Sequence, residues 1–504
     1  MKKVCLVFPI IIFPFLLFSQ EKNYQIIPDT SFGTNGIFYL EEYEQIHDDW
    51  YPKIDLDSKG NIYLVGEFYL FKILAQGKYE SNFGEKGAVR ISNFIWGTNI
   101  KVANDDNPII SGYLPSLQYK AEVIKFNNVG NFDTTFGKSG IMMIIDGVYP
   151  VDLYKFKKKL FVSYYSSNNH FFALKCFDEV SGLLDSSFGI NGTLISTVKS
   201  SYYTHTLQVT NNEIYYFGQI WDSQNEVYDF FSIDSLGIVN KHYSKALPNT
   251  NDFSPFCSVK LTNGYLIGDG LYNLRVRKVL DSGEPDELYG NSGEKHFNHK
   301  YEGWFCDMKK LNNEVNVASG VSFHDSSSSP LLLLFDNEGQ LIQSVGDSGF
   351  YNIGNYNSYR WEATSIKVLS DSSFIVCGYY QSSSTLYTND HRYFVGKFLV
   401  TSEKATVIND NLIDSKIESF ELVGNYPNPF NPSTNLNLKI NNPTKLNISI
   451  YDILGKQIIE FEESFDIGSK TIPIKMTEFS AGTYFVKISD GKNKSVNSKI
   501  VLIK

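Results

Sequence analysis

The sequence predicts an all-β protein, and three observations lead to this class. Phe (38 residues) and Tyr (33) are abundant in the 504-residue chain whereas Met (5) is scarce, and aromatic enrichment favours strands. No long segment shows the apolar period of an amphipathic helix. Short strand-like segments separated by glycine-containing turns recur with a period of about 52 residues. Apolar residues make up 42% of the chain, which is enough for a large core.

The first 19 residues have the pattern of a secretory signal peptide. Lys2 and Lys3 precede the uncharged apolar stretch 4–18, which contains two prolines. This stretch is shorter than the ~20 residues that a membrane-spanning helix needs. The alternative is a retained anchor. The pattern therefore predicts an exported protein.

Net charge and cysteine positions narrow the range of partners and cofactors. The net charge of −10 disfavours nucleic acid, whose phosphate backbone repels an acidic surface. Beyond the signal peptide, four cysteines fall in predicted strands of different repeats: Cys176, Cys257, Cys306 and Cys377. Disulfides are the alternative in an exported chain, but we expect small buried thiols. Their spacing does not fit a metal site.

A short motif, Asp-x-x-Phe-Gly-x-x-Gly, is the most regular part of the repeat. Clear copies occupy 29–36, 133–140 and 185–192, and weaker ones occupy 80–87, 286–293 and 343–349. Glycine permits positive φ angles, and Asp hydrogen-bonds the backbone of its own turn. We expect a structural motif, with the Phe packed between neighbouring sheets.

A second signature, two short strands joined by a polar turn, precedes each motif. Its seven copies lie at 54–66, 102–112, 153–163, 207–218, 259–268, 308–320 and 366–378. Together the signatures give four strands per repeat, which predicts a seven-bladed β-propeller over residues 20–400. The chain enters this pattern on a fourth strand (36–40) and leaves it on a third (392–400). We therefore expect these two strands to pair and close the ring.

Residues 29–400 resemble the delta-60 repeat family. The resemblance rests on the Asp-x-x-Phe-Gly-x-x-Gly motif and on the strand pattern ending in Val-Gly-Glu-Phe at 65–68. It implies a propeller-like β fold in secreted proteins and no fixed activity. The third and fourth repeats depart most from the pattern, at 155–159 and 233–243.

The C-terminal part of the chain has a different organisation. Residues 401–420 are polar and read as a linker. The proline-rich run 421–440 predicts an extended lead-in, 446–458 predicts a hairpin turning at 454–455, and further strands follow. About seven short strands in residues 421–504 fit a small Ig-like β-sandwich.

Residues 421–504 resemble the type A sorting domain of the type IX secretion system. The matching residues are Asn425, Tyr426, Pro427, Asn428, Pro429, Phe430, Gly455, Gly482 and Tyr484. The resemblance implies a Bacteroidetes-type origin, the type IX secretion machinery as partner, and passage across the outer membrane. It also implies removal of the domain, usually with attachment of the cargo to surface lipopolysaccharide. The alternative is an ordinary adhesive Ig-like module.

Motifs of catalysis are not evident. The eight histidines are scattered, and no zinc-protease, nucleophile-elbow or phosphate-loop motif occurs. We predict no catalytic residues, no metal and no cofactor. An enzyme is the less favoured alternative, because propeller hydrolases assemble their sites from distant loops.

Five aromatic residues share one position in their repeats, 16 or 17 residues before the second-strand glycine. They are Trp50, Trp96, Tyr202, Trp304 and Trp361. One interpretation is packing between blades, since aromatic side chains bury large areas. The other is an aromatic-lined face that binds a glycan or a protein.

The sequence thus predicts a secreted or cell-surface propeller that acts as a binding or scaffold module. The alternatives are a glycan-active hydrolase or lyase on the same scaffold, and a purely structural surface protein.

Overall fold

The structure is a computed structural model of the chain. It describes residues 22–40, 51–91, 96–114, 120–166, 171–199, 205–209, 213–221, 226–246, 255–269, 274–297, 302–324, 327–353, 360–381, 391–404, 419–453, 455–490 and 495–503. These residues form strands and turns, and among them no helix is long and apolar enough to cross a membrane. The chain divides into two compact units, Met1–Thr406 and Val407–Lys504.

The described strands of the first unit form six antiparallel sheets, of which three have four strands, two have five and one has seven. One sheet contains β3 (Lys53–Leu56), β4 (Ile62–Val65), β5 (Tyr69–Leu74), β6 (Lys78–Tyr79) and β7 (Ala88–Arg90). A four-stranded sheet contains β15 (His205–Val209), β16 (Ile214–Trp221), β17 (Glu226–Ile233) and β18 (Val239–Ala246). A second contains β19 (Pro255–Lys260), β20 (Tyr265–Asp269), β21 (Arg275–Val279) and β22 (Glu294–His296). A third contains β23 (Gly303–Lys310), β24 (Val315–His324), β25 (Ser327–Asp336) and β26 (Tyr351–Asn352).

One sheet has seven strands because a single long strand serves two repeats. Its members are β8 (Trp96–Val102), β9 (Pro108–Leu114), β10 (Lys120–Lys125), β11 (Ile141–Phe156), β12 (Lys159–Ser166), β13 (Phe171–Asp178) and β14 (Thr193–Lys199). The start of the 16-residue β11 pairs with β10, and its end pairs with β12. The fourth strand of one repeat thus continues into the first strand of the next.

The last sheet of the unit joins the two ends of its chain. It contains β27 (Trp361–Ser370), β28 (Ser373–Gln381), β29 (His391–Lys404), β1 (Lys22–Pro28) and β2 (Ile37–Leu40). In β2, Ile37 lies opposite Gly396 and Leu40 opposite Tyr393, so the pairing expected from the repeat phase is confirmed. The sequence did not predict β1, which pairs with the second half of β29.

The first strand of each repeat lies beside the first strands of its two neighbours. The order of contacts is β3, β8, β11, β15, β19, β23, β27 and back to β3. This closed circuit of inner strands, with sheets extending outward from it, is the arrangement of a β-propeller.

The repeated motif joins neighbouring sheets. In its first copy, Asp29 accepts hydrogen bonds from the backbone N–H of Ser31 (3.0 Å) and from its hydroxyl (2.6 Å). Phe32 is fully buried in a core shared by the sheets of β3 and β29. Gly33 has φ of 52° and donates its N–H to the carbonyl of Gln76 in the next repeat. Equivalent glycine bonds occur in three later copies, so the expected structural role is confirmed.

Cys176, Cys257, Cys306 and Cys377 are all buried and free, as expected. Burial raises the pKa of the Cys176 and Cys377 thiols to about 12, which keeps them protonated and unreactive.

The second unit has seven described strands in two sheets. They are β30 (Phe420–Tyr426), β31 (Ser433–Ile440), β32 (Thr444–Tyr451), β33 (Gln457–Phe465), β34 (Gly468–Lys475), β35 (Gly482–Ser489) and β36 (Ser495–Leu502). The sheet orders are β30-β31-β34 and β33-β32-β35-β36, and apolar side chains of both sheets form one core. The expected hairpin is β32 and β33.

Candidate functional site

The inner strands of the first unit place polar side chains on their shared axis. In five of the seven strands one polar residue stands between two apolar neighbours, as in Ile54-Asp55-Leu56 and Ile100-Lys101-Val102; the aligned residues of β11 and β23, Tyr154 and Lys309, each have a lysine as their second neighbour. Because side chains alternate along a strand, the neighbouring residues pack between sheets and the aligned residue lines the axis in every strand except β19. The seven aligned residues are Asp55, Lys101, Tyr154, Gln208, Lys260, Lys309 and Lys367. The residues two positions earlier form a second ring: Lys53, Asn99, Asp152, Thr206, Ser258, Asp307 and Ser365.

Irregular register precedes the second ring in five of these strands. The shifts lie between 97 and 99, 150 and 152, 255 and 257, 305 and 307, and 363 and 365. A bulge bends its strand and redirects a side chain. In β19 the extra residue is Phe256, whose side chain stays 40% exposed.

These strands enclose a cavity of about 450 Å³. Its lining includes five lysines and three aspartates: Lys53, Lys101, Lys155, Lys309, Lys367, Asp55, Asp152 and Asp307. The cavity is thus cationic on balance, inside a protein whose net charge is −10.

Each of the three cavity carboxylates is already held by backbone N–H groups. Asp55 accepts from Val102 N–H (2.8 Å) and lies 2.9 Å from the Lys367 ammonium. Asp307 accepts from Met308 and Ile366 N–H groups (2.9 and 2.8 Å). Asp152 accepts from Leu153 N–H (2.9 Å) and from the Asn99 amide and the Tyr154 hydroxyl.

Charge pairing keeps two of these acids ionised. Burial acts to raise the pKa of Asp55, but the charges of Lys367 and Lys101 hold it below its usual value. Burial also acts to raise the pKa of Asp307, but the charges of Lys309 and Lys53 hold it below its usual value. Burial acts to lower the pKa of Lys367, but the charge and hydrogen bond of Asp55, together with the charges of Asp307 and Asp152, raise it above its usual value.

Lys101 differs from Lys309 and Lys367, which pair with Asp307 and Asp55. Among the described residues it forms no ion pair; its ammonium donates to the Ile100 carbonyl (3.2 Å) and to the Asn99 amide oxygen (3.4 Å). Burial, and then the charge of Lys367, lower the pKa of Lys101 to about 8. An anion placed beside this group would stabilise its charged form and raise its pKa back towards the usual value.

The opposite side of the cavity is neutral. Along the circuit, β23 and β27 lie between β19 and β3 on one side, and β15 and β11 lie between β19 and β8 on the other. There the Thr206 and Ser258 hydroxyls lie 3.2 Å apart, and Ser258 lies 3.4 Å from the Gln208 amide oxygen. Lys260 is not part of the lining, because its ammonium pairs with Asp281 at 2.6 Å.

The aromatic positions singled out from the sequence lie in different surroundings. Trp361 is 7% exposed, and its ring lies 5.0 Å from that of Tyr380 and 5.3 Å from that of Phe394. These contacts favour the packing interpretation at this position. Trp304 is half-buried, 4.5 Å from the ring of Phe323.

The other three aromatic side chains fall outside the part of the chain that the structure describes. Trp50 and Tyr202 lie outside the described residues, as does the side chain of Trp96. The ligand face at these positions stays a prediction.

The residues of the sorting motif divide between core and surface. Phe430 is buried, and its N–H donates to the Val501 carbonyl (2.9 Å). The Asn428 side chain also bonds this last strand, accepting from Val501 N–H (2.9 Å). The Tyr484 hydroxyl donates to the Ser480 carbonyl (2.7 Å). Tyr426 is 77% exposed.

The remaining motif residues fall in turns, strands or the lead-in. Gly455 has φ of 79°, whereas Gly482 begins β35 at a place where an added β-carbon would meet nothing within 4 Å. Asn425 donates to the Thr434 hydroxyl (3.3 Å), whose own hydrogen goes to the Pro427 carbonyl (2.7 Å). Pro429 is exposed.

No group of three or more His, Cys, Asp and Glu side chains within the described ranges is arranged to hold a metal ion. Sequence reasoning also missed the cavity. The usable signal was positional: a polar residue between two apolar ones at the same place in five of the seven first strands.

Comparisons with known proteins cover the two units unequally. No curated protein sequence matches the chain. Similar solved structures include YCF48 from Cyanidioschyzon merolae, at 12% identity and a TM-score of 0.40, covering 72% of this chain and 98% of that one. A fungal alcohol oxidase of the AA5 family in complex with copper is 12% identical with a TM-score of 0.40, and the match covers 93% of this chain and 100% of that one. The β-propeller domain of the Trilobed protease from Pyrococcus furiosus is 9% identical with a TM-score of 0.38, and the match covers 76% of this chain and 98% of that one. At these scores the similarities carry no argument about this chain.

The second unit has a specific match. Residues 425–504 match the family model described as the secretion system C-terminal sorting domain. The chain therefore ends in a sorting domain of the type IX secretion system, which indicates export to the cell surface or release.

Proposed function

We propose that the protein is an exported, non-enzymatic binding module whose ligand site is the axial cavity. The observation that carries this proposal is the convergence of polar side chains from seven inner strands on one cavity, beside a tail that marks the chain for export. A ring needed only as a scaffold gains nothing from Lys101, a half-buried lysine without an ion-pair partner among the described residues, since burying a charge without a partner costs stability.

The ring is best counted as seven blades. The closed circuit of seven inner strands supports this count, with the seven-stranded sheet contributing two blades through β11. The delta-60 repeat, the Ig-like character of the second unit and a Bacteroidetes-type origin belong to the same proposal, as do domain limits at 1–19, 20–400, 401–420 and 421–504.

A glycan-active enzyme, hydrolase or lyase, is the second candidate. The observation favouring it is the Lys101 ammonium, whose lowered pKa of about 8 is what a general base requires. Incubation of the full chain with acidic and neutral polysaccharides separates the candidates. New reducing ends or double bonds that disappear in Lys101→Met would establish an enzyme, whereas unchanged polysaccharide agrees with a binding module.

Deletion of residues 421–504 tests the export half of the proposal. In the native host we expect a folded ring that stays in the periplasm, because the sorting domain is its link to the type IX machinery. Cell fractionation and protease treatment of intact cells give the location, and circular dichroism of the purified ring gives its folding. Normal delivery of the deleted form to the surface would refute the sorting role.

A panel of neutral sugars, acidic sugars and short peptides tests the binding half. We expect at least one member to raise the unfolding temperature of the full chain, and Lys367→Met to abolish that increase. If no member of the panel binds, the purely structural alternative is favoured.

A further inference from the structure

The axial cavity is chemically divided into two sides. Its cationic side is formed by β23, β27, β3 and β8, which contribute Lys309, Lys367, Lys53 and Lys101. Its neutral side is formed by β15 and β19, which contribute hydroxyl and amide groups and one exposed aromatic ring. Such a division selects ligands that carry charge at one end and hydroxyl groups at the other.

The cationic side has free capacity for a carboxylate. Its aspartates are occupied by backbone N–H groups and by Lys367 and Lys309. The Lys53 ammonium donates to the Thr364 carbonyl (3.1 Å) and, like Lys101, has no carboxylate within ion-pair distance among the described residues. An ammonium–carboxylate hydrogen bond is charge-assisted and stronger than a neutral one.

The neutral side offers what a sugar ring needs. Phe256 presents an exposed aromatic face beside Thr206, Gln208 and Ser258. Ligand pockets typically combine such an apolar surface with a few polar groups that fix orientation. The volume of about 450 Å³ lies within the roughly 300–1,000 Å³ usual for small ligands.

We propose that the axial cavity binds a small acidic sugar, with its carboxylate between Lys53 and Lys101 and its ring against Phe256. This inference rests on the proposed binding function and names its ligand class. The sugar is either a free uronic acid or the terminal uronic acid of a glycan chain.

Two pairs of matched variants test the contacts. Lys101 and Lys260 occupy the same position in their repeats, but only Lys101 lines the cavity, so Lys101→Met is compared with Lys260→Met. Phe256 and Phe132 are similarly exposed (40% and 43%), but only Phe256 lines the cavity, so Phe256→Ala is compared with Phe132→Ala.

Isothermal titration calorimetry of the full chain uses D-glucuronate, a short glucuronate-terminated oligosaccharide and D-glucose. We expect saturable binding of one or both acidic probes and binding of glucose at least tenfold weaker. Which acidic probe binds tighter distinguishes the two sources. Loss of one charge-assisted hydrogen bond predicts about a tenfold or greater loss of affinity in Lys101→Met. Phe256→Ala should also weaken binding, and the two control variants should stay within about twofold of the parent chain.

Several results would overturn the inference. They are the absence of saturable glucuronate binding, glucose binding as tight as glucuronate binding, and unchanged affinity in folded Lys101→Met and Phe256→Ala. If Lys101→Met does not fold, Lys53→Met replaces it. Saturable binding of another ligand class that both cavity variants abolish would overturn the sugar while leaving the binding module intact. Turnover of the oligosaccharide would retain the ligand class and refute the non-enzymatic function.

Discussion

Substitution of Phe32 by Ala examines how much the closure of the ring contributes to stability. Phe32 is fully buried in the core between the first and last sheets of the circuit. Its motif is tied to β29 by the Asp29–Lys397 ion pair at 2.9 Å. Removing a buried Phe side chain typically costs about 3–5 kcal/mol.

The expected size of the effect follows from the unit that unfolds. For roughly 400 residues, an unfolding entropy of about 2.1 cal/mol/K per residue gives about 0.8 kcal/mol/K. A loss of about 3–5 kcal/mol then lowers the unfolding temperature by about 4–6 °C. Urea unfolding followed by tryptophan fluorescence gives the free energy, and calorimetry gives the temperature.

Two further variants calibrate this measurement. Phe136→Ala makes the same change in a motif far from the chain ends, where the side chain is also fully buried, so its cost should match. Phe132 is 43% exposed, so Phe132→Ala should cost less than about 1 kcal/mol. If Phe32→Ala resembles Phe132→Ala rather than Phe136→Ala, the terminal strands fray without consequence and the reasoning about closure is refuted.

Two other predictions concern single side chains. Trp361→Ala should lower the free energy of unfolding in urea by about 3–5 kcal/mol because the ring is almost fully buried. Trp304 is half-buried, so Trp304→Ala should lower it by less. Small and equal losses of stability in the two variants would contradict the packing interpretation. Lys101 has a folded pKa of about 8 against 10.5 for the free group, so between these values the unfolded chain binds the extra proton and stability rises with pH. The excess stability of Lys101→Met over the parent chain should therefore shrink from about pH 7 to about pH 10.5, and a constant difference would contradict the lowered pKa.

The repeated part of the fold was predictable because the glycines of its motif occupy backbone conformations that few other residues adopt. Gly33 and Gly36 have positive φ, which few other residues adopt, and their spacing fixed the repeat phase. That phase predicted the pairing of β2 with β29. β1 escaped prediction because Lys22–Pro28 lies outside the repeated pattern, and its partner is an edge that only the folded ring presents.

The cavity was harder to predict because its residues share a position and not a chemistry. Asp55, Lys101 and Gln208 occupy equivalent places on different strands, and only closure of the circuit brings them together. The common spacing of the tryptophans likewise identifies equivalent positions without giving their role, and among the described ones Trp361 packs against Tyr380 and Phe394. Spacing identifies equivalent positions, but burial decides what they do.

A designed disulfide between β1 and β29 tests the central claim, that the N-terminal strands close the ring framing the cavity. Gln25 and Thr401 are exposed and lie opposite each other, at a separation of about 4.5–5.5 Å between Cα atoms that suits a disulfide. The control pair Asn23→Cys with Leu399→Cys is out of register by about four residues, or about 14 Å. Crosslinking under mild oxidation is read by non-reducing electrophoresis and mass spectrometry. If β1 pairs with β29 in this register, Gln25→Cys with Thr401→Cys should crosslink rapidly and almost completely, and the control pair should crosslink little. Equal crosslinking rates in the two pairs would contradict closure of the ring by these strands.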